Sequence, residues 1–169
     1  MGIFTPDVHN LRELYKATLQ RALSSEKQIV QTGLPGMIED ATNPELLDAF
    51  RAHLDESRMH VSRLERILDE VEGEENETKC RTTSALIGTA SSSAKDASDA
   101  QLRDVLLIAA GNEVEHYEIA VYGTLKNWAE VLGEFEHAAI LERTLGEEKK
   151  ANELLTKLSR QINVEAPVA

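Results

Sequence analysis

The chain has 169 residues, enough for one domain with a full-sized core and too short for two ordinary ones. Thirty acidic residues against 18 basic ones leave a net charge of −12, which excludes the nucleic-acid backbone and the anionic membrane surface as natural partners. A 41% hydrophobic content is too high for a disordered chain, the longest apolar run (Val105 to Ala110) is too short to span a bilayer, and one cysteine, Cys80, allows no disulfide within the chain. No signal-peptide pattern opens the sequence, so the expected setting is a reducing cytoplasm.

Thr5-Pro6-Asp7 reads as a helix start, with Pro in the first turn and Asp at the positive end of the dipole. Apolar residues at Val8, Leu11, Tyr15, Leu19, Ala22, Ile29 and Val30 carry that helix over residues 6–33, where Gly33 and Pro35-Gly36 kink or end it. Asn43-Pro44-Glu45 starts a second helix, over 44–72. A polar stretch from Gly73 follows, then a weak helical segment near Thr82 to Thr89, with Ser91-Ser92-Ser93 as loop or cap; together they form a crossover over 73–99. Ser98 or Asp99 caps a third helix, 100–132, stopped by Gly133. A fourth runs over 134–163 before a frayed tail at 164–169.

Nothing alternates with the two-residue period of a strand, so the fold class is all-α, a single domain over 1–169. Short links pair helix one with two and three with four, while the crossover is long enough to run the length of a bundle and return. That pattern predicts a ferritin-like up-down-down-up four-helix bundle whose crossover carries a short extra helix.

Helical wheels at about 100° per residue then show which polar residues fall inside the apolar arcs. Glu26 lies in the middle of the helix-one stripe, and Glu115 and Glu118 lie one turn apart inside that of helix three. His53, Glu56 and His60 share one edge of the helix-two stripe and are candidate metal ligands, His60 as a ligand or a donor to one and His53 as a ligand or a core or surface histidine. On helix four Glu148 is inward and Glu147 marginal, although both also read as part of a solvated Glu-Glu-Lys-Lys run. Arg63 is the main inward base. Several carboxylates in one core repel one another unless cations compensate them, and the simplest compensation is a pair of divalent ions. Oxygen-rich sites with one or two imidazoles suit iron or manganese. Tyr15 and Tyr122 also point inward, as core residues or as hydrogen-bond donors and redox partners to such a centre. His9, His116 and His137 read as bystanders.

At these residues the chain resembles the YciE/YciF family of ferritin-like proteins over nearly its whole length. The matching strings are Ser25-Glu26-Lys27-Gln28, His53-Leu54-Asp55-Glu56, Val114-Glu115-His116-Tyr117-Glu118-Ile119-Ala120 and Glu147-Glu148-Lys149. The resemblance implies a rubrerythrin-type bundle around a dinuclear centre, two iron ions with manganese as the alternative, linked to bacterial stress. By position it implies Glu26, Glu56, Glu115, Glu118 and Glu148 or Glu147 as ligands. Three departures stand out. The usual Glu-x-x-His would place histidines at Met59 and Ala151; His60 stands where relatives often have glutamine; and Thr83-Ser84-Ala85-Leu86-Ile87 replaces a carboxylate-bearing crossover string. Two functions follow as expectations. One is a di-iron oxidoreductase acting on oxygen or peroxide, such as a ferroxidase. The other is a non-catalytic metal-binding or structural stress protein. In either case a homodimer is expected rather than a storage cage, because acidic faces disfavour large tight assemblies.

Overall fold

The computed structural model describes residues 8–71, 79–164 and 166–167, and among these every regular element is a helix. The elements are α1 (Leu11–Gln28), a π-helical turn (Ile29–Gly33), α2 (Leu34–Asp40), α3 (Pro44–Glu70), α4 (Arg81–Asp96), α5 (Ala100–Leu132) and α6 (Phe135–Ile162). The start signal at residues 5–7, the expected end of the second helix at 72, the polar stretch over 73–78 and tail residues 165, 168 and 169 lie outside the described part.

The caps explain most of the boundaries. Asn10 accepts a hydrogen bond from the Glu13 amide at 3.0 Å, and the Glu13 carboxylate accepts from the His9 amide at 2.7 Å, so α1 begins at Leu11. Asn43 caps α3 through Glu45 and Leu46, with Pro44 in the first turn where its missing N–H costs nothing. Asp99 caps α5 by accepting from Leu102 at 2.9 Å. The α5–α6 turn rests on Gly133, whose φ of 79° lies in the left-handed region that favours glycine.

Two expectations need correcting. Helix one does not end at Gly33: the chain stays helical to Asp40 by inserting the π turn, in which the Leu34 amide donates to the Ile29 carbonyl five residues back. Pro35 has no N–H to give to an α-helical ladder, and the wider turn absorbs that loss. Nor is Ser91-Ser92-Ser93 a loop. It continues α4 because Ala90 and Ala94 on either side are buried, and the Ser92 hydroxyl returns to the Gly88 carbonyl at 2.9 Å.

The long helices contact one another in a ring, α1 with α3, α3 with α6, α6 with α5 and α5 with α1, while α4 lies against α5 and touches α1, α2 and the π turn. Their directions follow from two apolar clusters. One gathers Ile29, Leu46, Phe50, Leu107 and Leu155; the other gathers Leu19, Leu64, Leu125 and Leu141. Thus α1 and α6 run from the second cluster to the first, and α3 and α5 run the opposite way. The α5–α6 pair is close: a Cβ on Gly111 would sit 2.8 Å from Leu155 Cδ1. No described helix is long and apolar enough to cross a membrane. Between the two clusters, at mid-height, the interior is polar.

Candidate metal centre

Each of the four long helices sends charged or imidazole side chains into this middle layer: Glu26 from α1, His53 and His60 from α3, Glu115 and Glu118 from α5, and Glu148 from α6. All six are buried, with Glu26, His60 and Glu148 at 0% exposure. Their ligand atoms fall into two groups, each within 4.8 Å: His53, Glu115, Glu118 and Glu148 in one, Glu26, His60 and Glu148 in the other. Glu148 belongs to both.

The second group is tied by defined contacts. Tyr122 donates its hydroxyl to Glu26 Oε1 at 2.5 Å. His60 Nδ1 lies 3.2 Å from Glu26 Oε1 and 3.0 Å from Glu148 Oε1, while its Nε2 lies 3.0 Å from Glu147 Oε2. Glu147 in turn is paired with Arg63 and Arg143. In the first group, His53 Nε2 approaches Glu115 Oε1 at 3.1 Å and Glu148 Oε2 at 3.7 Å, yet neither ring nitrogen has a hydrogen-bond partner. Glu26 Oε2, Glu115 Oε2, Glu118 Oε2 and both Glu148 oxygens are likewise buried and accept no aligned hydrogen bond, Glu148 Oε1 meeting His60 Nδ1 only as an ion pair.

Four buried carboxylates face two imidazoles, so even with both rings protonated the layer would keep an excess of negative charge. Arg63, the inward base, is engaged by Glu147. The ionisation equilibria record the strain. Burial first, and then the charges of Glu26, Glu148 and Glu115, push the Glu118 carboxyl well above the ordinary range. Burial also lifts Glu148 to about 7, against the opposing pull of His60. Burial alone would depress His60, but its Glu148 and Glu26 neighbours outweigh that and hold it at about 10. The Glu115 carboxylate does the same for His53. Protons or cations must therefore balance the layer, and the convergent, unpartnered oxygens fit a cation, since a buried acceptor with no donor is costly.

Six candidate ligands come together: Glu26, His53, His60, Glu115, Glu118 and Glu148. Glu56, also expected as a ligand, is half exposed and lies outside both groups, 3.7 Å from His53 Nδ1. On the α3 wheel His60 is only about 20° from His53 while Glu56 is about 60° away, enough to turn it outward. Glu147 stays on the rim; burial raises its pKa, but Arg63 and His60 overcome that and hold it at about 2. Tyr122 is at the site; Tyr15 instead stacks on His137 with ring centroids 6.5 Å apart. Among the bystanders, His137 reaches Glu70 at 3.0 Å and His116 its own helix at 2.8 Å. Sequence reasoning missed Ser57, fully buried with an unpartnered hydroxyl; its four- and three-residue spacing from His53 and His60 was the available signal.

Comparison with known proteins places these observations. Residues 10–166 match the family described as Domain of unknown function (DUF892). Protein YciF of Escherichia coli K12 is 35% identical over 157 residues, which is 90% of this chain and 92% of that one. The crystal structure of the E. coli stress protein YciF superposes with a TM-score of 0.89 at 32% identity, covering 94% of this chain and all of that one. YcfI of Rhodopseudomonas palustris, described as a candidate structural protein, gives 0.85 at 34%, covering 91% and 98%. A Xanthomonas campestris protein, at 24% identity and a TM-score of 0.74 over 92% and 94% of the two chains, shares the fold.

Proposed function

The chain belongs to the DUF892 family, and from that membership and the buried acid layer we propose that it is a ferritin-like, carboxylate-bridged two-metal protein. The observation that carries the reading is the set of carboxylate oxygens that meet in a buried interior without hydrogen bonds. One cation would be held by His53, Glu115, Glu118 and Glu148, the other by Glu26, His60 and Glu148. An oxygen-rich set with one imidazole per position favours iron, with manganese as the alternative. When bound, two iron ions supply one-electron redox chemistry toward oxygen or peroxide, which is the basis of a ferroxidase or peroxidase-like activity. The protein's own groups do the rest. Tyr122 fixes one oxygen of Glu26, and Glu147, held by Arg63, fixes the outer nitrogen of His60. The two apolar clusters exclude bulk water above and below.

Metal analysis after anaerobic ferrous reconstitution tests this. About two irons per chain are expected, with Glu115→Ala losing at least one. A wild-type chain that takes up no metal would overturn the reading.

A second reading has its own support. Neither Glu-x-x-His histidine is present, Met59 is 55% exposed, and YcfI's description is structural. On this reading the chain is a metal-holding stress protein without turnover. Ferrous oxidation in air at the rate of buffer alone would select it; clear acceleration would select the oxidoreductase. We keep the homodimer and the cytoplasmic setting in both readings, the former to be read from sedimentation equilibrium.

A further inference from the structure

Beside the acid layer, between the π turn, α2, α3, α4 and α5, lies a cavity of about 170 Å³. Its walls are apolar: Ile29, Met37, Phe50, Ile87, Leu107 and Val114. Thr32 and Ser91, both exposed, stand at its mouth with Asp40, and His53 and Glu115 form its floor. The wider π turn brings Ile29, Thr32 and Gly33 to the wall, where a Cβ on Gly33 would press on Ile87 Cδ1 at 3.2 Å. Such turns cluster at functional sites.

Three features define what would fit. The volume is close to the ~150 Å³ of an apolar cavity known to hold benzene. The walls offer no charge, while the floor offers His53, nine-tenths buried with both nitrogens unpartnered, beside an unpartnered oxygen of Glu115. Carboxylates at both ends, Asp40 and Glu115, repel an anion, and the apolar walls between them favour an uncharged, mostly apolar ligand.

We infer that this cavity is a binding site for a small neutral molecule of about one ring, bearing a single hydroxyl that in the metal-free chain meets His53 and Glu115. Binding rests on the cavity alone; service as substrate of the neighbouring centre rests additionally on the two-metal reading above. The ligand class is phenol-like rather than a fatty acid.

Fluorine NMR of the full chain with 4-fluorophenol, fluorobenzene and 4-fluorobenzoate tests the inference on metal-free and iron-loaded samples whose metal content is measured in parallel. The phenol should bind most tightly, fluorobenzene next and benzoate at least about tenfold more weakly than phenol. Ala90→Leu places a larger side chain on the wall and should weaken the phenol at least about tenfold. Gly36→Leu, which starts from a position where a Cβ meets nothing within 4 Å, provides a second block if the first variant fails to fold. Absence of phenol binding, equal binding of benzoate, or undiminished binding in a folded blocking variant would each overturn the site. Phenol bound by a chain that takes up no iron supports the cavity while sinking the two-metal reading. Iron bound without any probe binding does the reverse.

Discussion

The two imidazoles of α3 lie two turns apart on one face, yet their surroundings differ. His60 is locked: both nitrogens are hydrogen-bonded to carboxylates, and the outer one, Glu147, is itself anchored by Arg63. His53 is more open: Glu115 lies 3.1 Å from its Nε2, but neither nitrogen makes an aligned hydrogen bond, and the ring lines both the apolar cavity and a second one of about 140 Å³ bounded by Glu56 and Lys150. One half of the acid layer is therefore built for rigidity and the other for access. Networks of satisfied polar groups specify a single arrangement, while unsatisfied ones near a void leave room for a ligand.

The sharpest way to break this contrast is to remove each ring. In the metal-free protein His60→Ala should cost about 3 kcal/mol in urea unfolding, because Glu26, Glu148 and Glu147 lose their shared partner. His53→Ala should cost about 1 kcal/mol, as it removes no aligned hydrogen bond. Equal losses would erase the distinction.

Acid titration probes the same difference. In the folded chain Glu148 keeps its proton up to about 7 instead of the ordinary 4.5, and His60 keeps its proton up to about 10 instead of 6.5. The native state thus holds protons that the unfolded chain has released, and stability falls as pH rises between about 5 and 9. Thermal unfolding of the metal-free protein should show a midpoint several degrees lower at pH 9 than at pH 5.5. Added ferrous or manganous ion competes for the same atoms, so the midpoint gain it confers should grow with pH. A midpoint that rises with pH in the metal-free chain would contradict the assignment.

Smaller effects refine the picture. Tyr122→Phe removes one hydrogen bond to a buried carboxylate and should cost about 1–2 kcal/mol by denaturant titration while leaving metal content unchanged. Glu56→Ala should be the mildest, within about 0.5 kcal/mol and with full metal stoichiometry, since its side chain is half exposed. A lost metal in that variant would return Glu56 to the centre.

Much of the helical layout could be read because local chemistry decides it. Asn43-Pro44, Asp99 and Gly133 each set a boundary through a backbone preference or one hydrogen bond. The inward carboxylates were legible for a similar reason: Glu26, Glu115, Glu118 and Glu148 sit near the centre of their apolar arcs, so no modest rotation could expose them. Glu56 and His53 lie closer to an edge, where the tilt of α3 against its neighbours decides and wheel angles do not. Pro35 and the serine run misled because tertiary packing overrode local propensity: Ala90 and Ala94 are buried, and the chain widens one turn to keep Leu34 and Met37 inside.

The widened turn carries its extra residue through about the rotation that four residues make in an α-helix, so Glu26 upstream and Met37 downstream keep the phase of a helix one residue shorter. Deleting one position from 29–33 should therefore restore the common pitch with both flanks facing as they do, whereas adding a residue there would swing the upstream segment by about 100° relative to the downstream one. The spare residue supplies wall to the hollow beside Phe50 without turning Glu26 away from its companions.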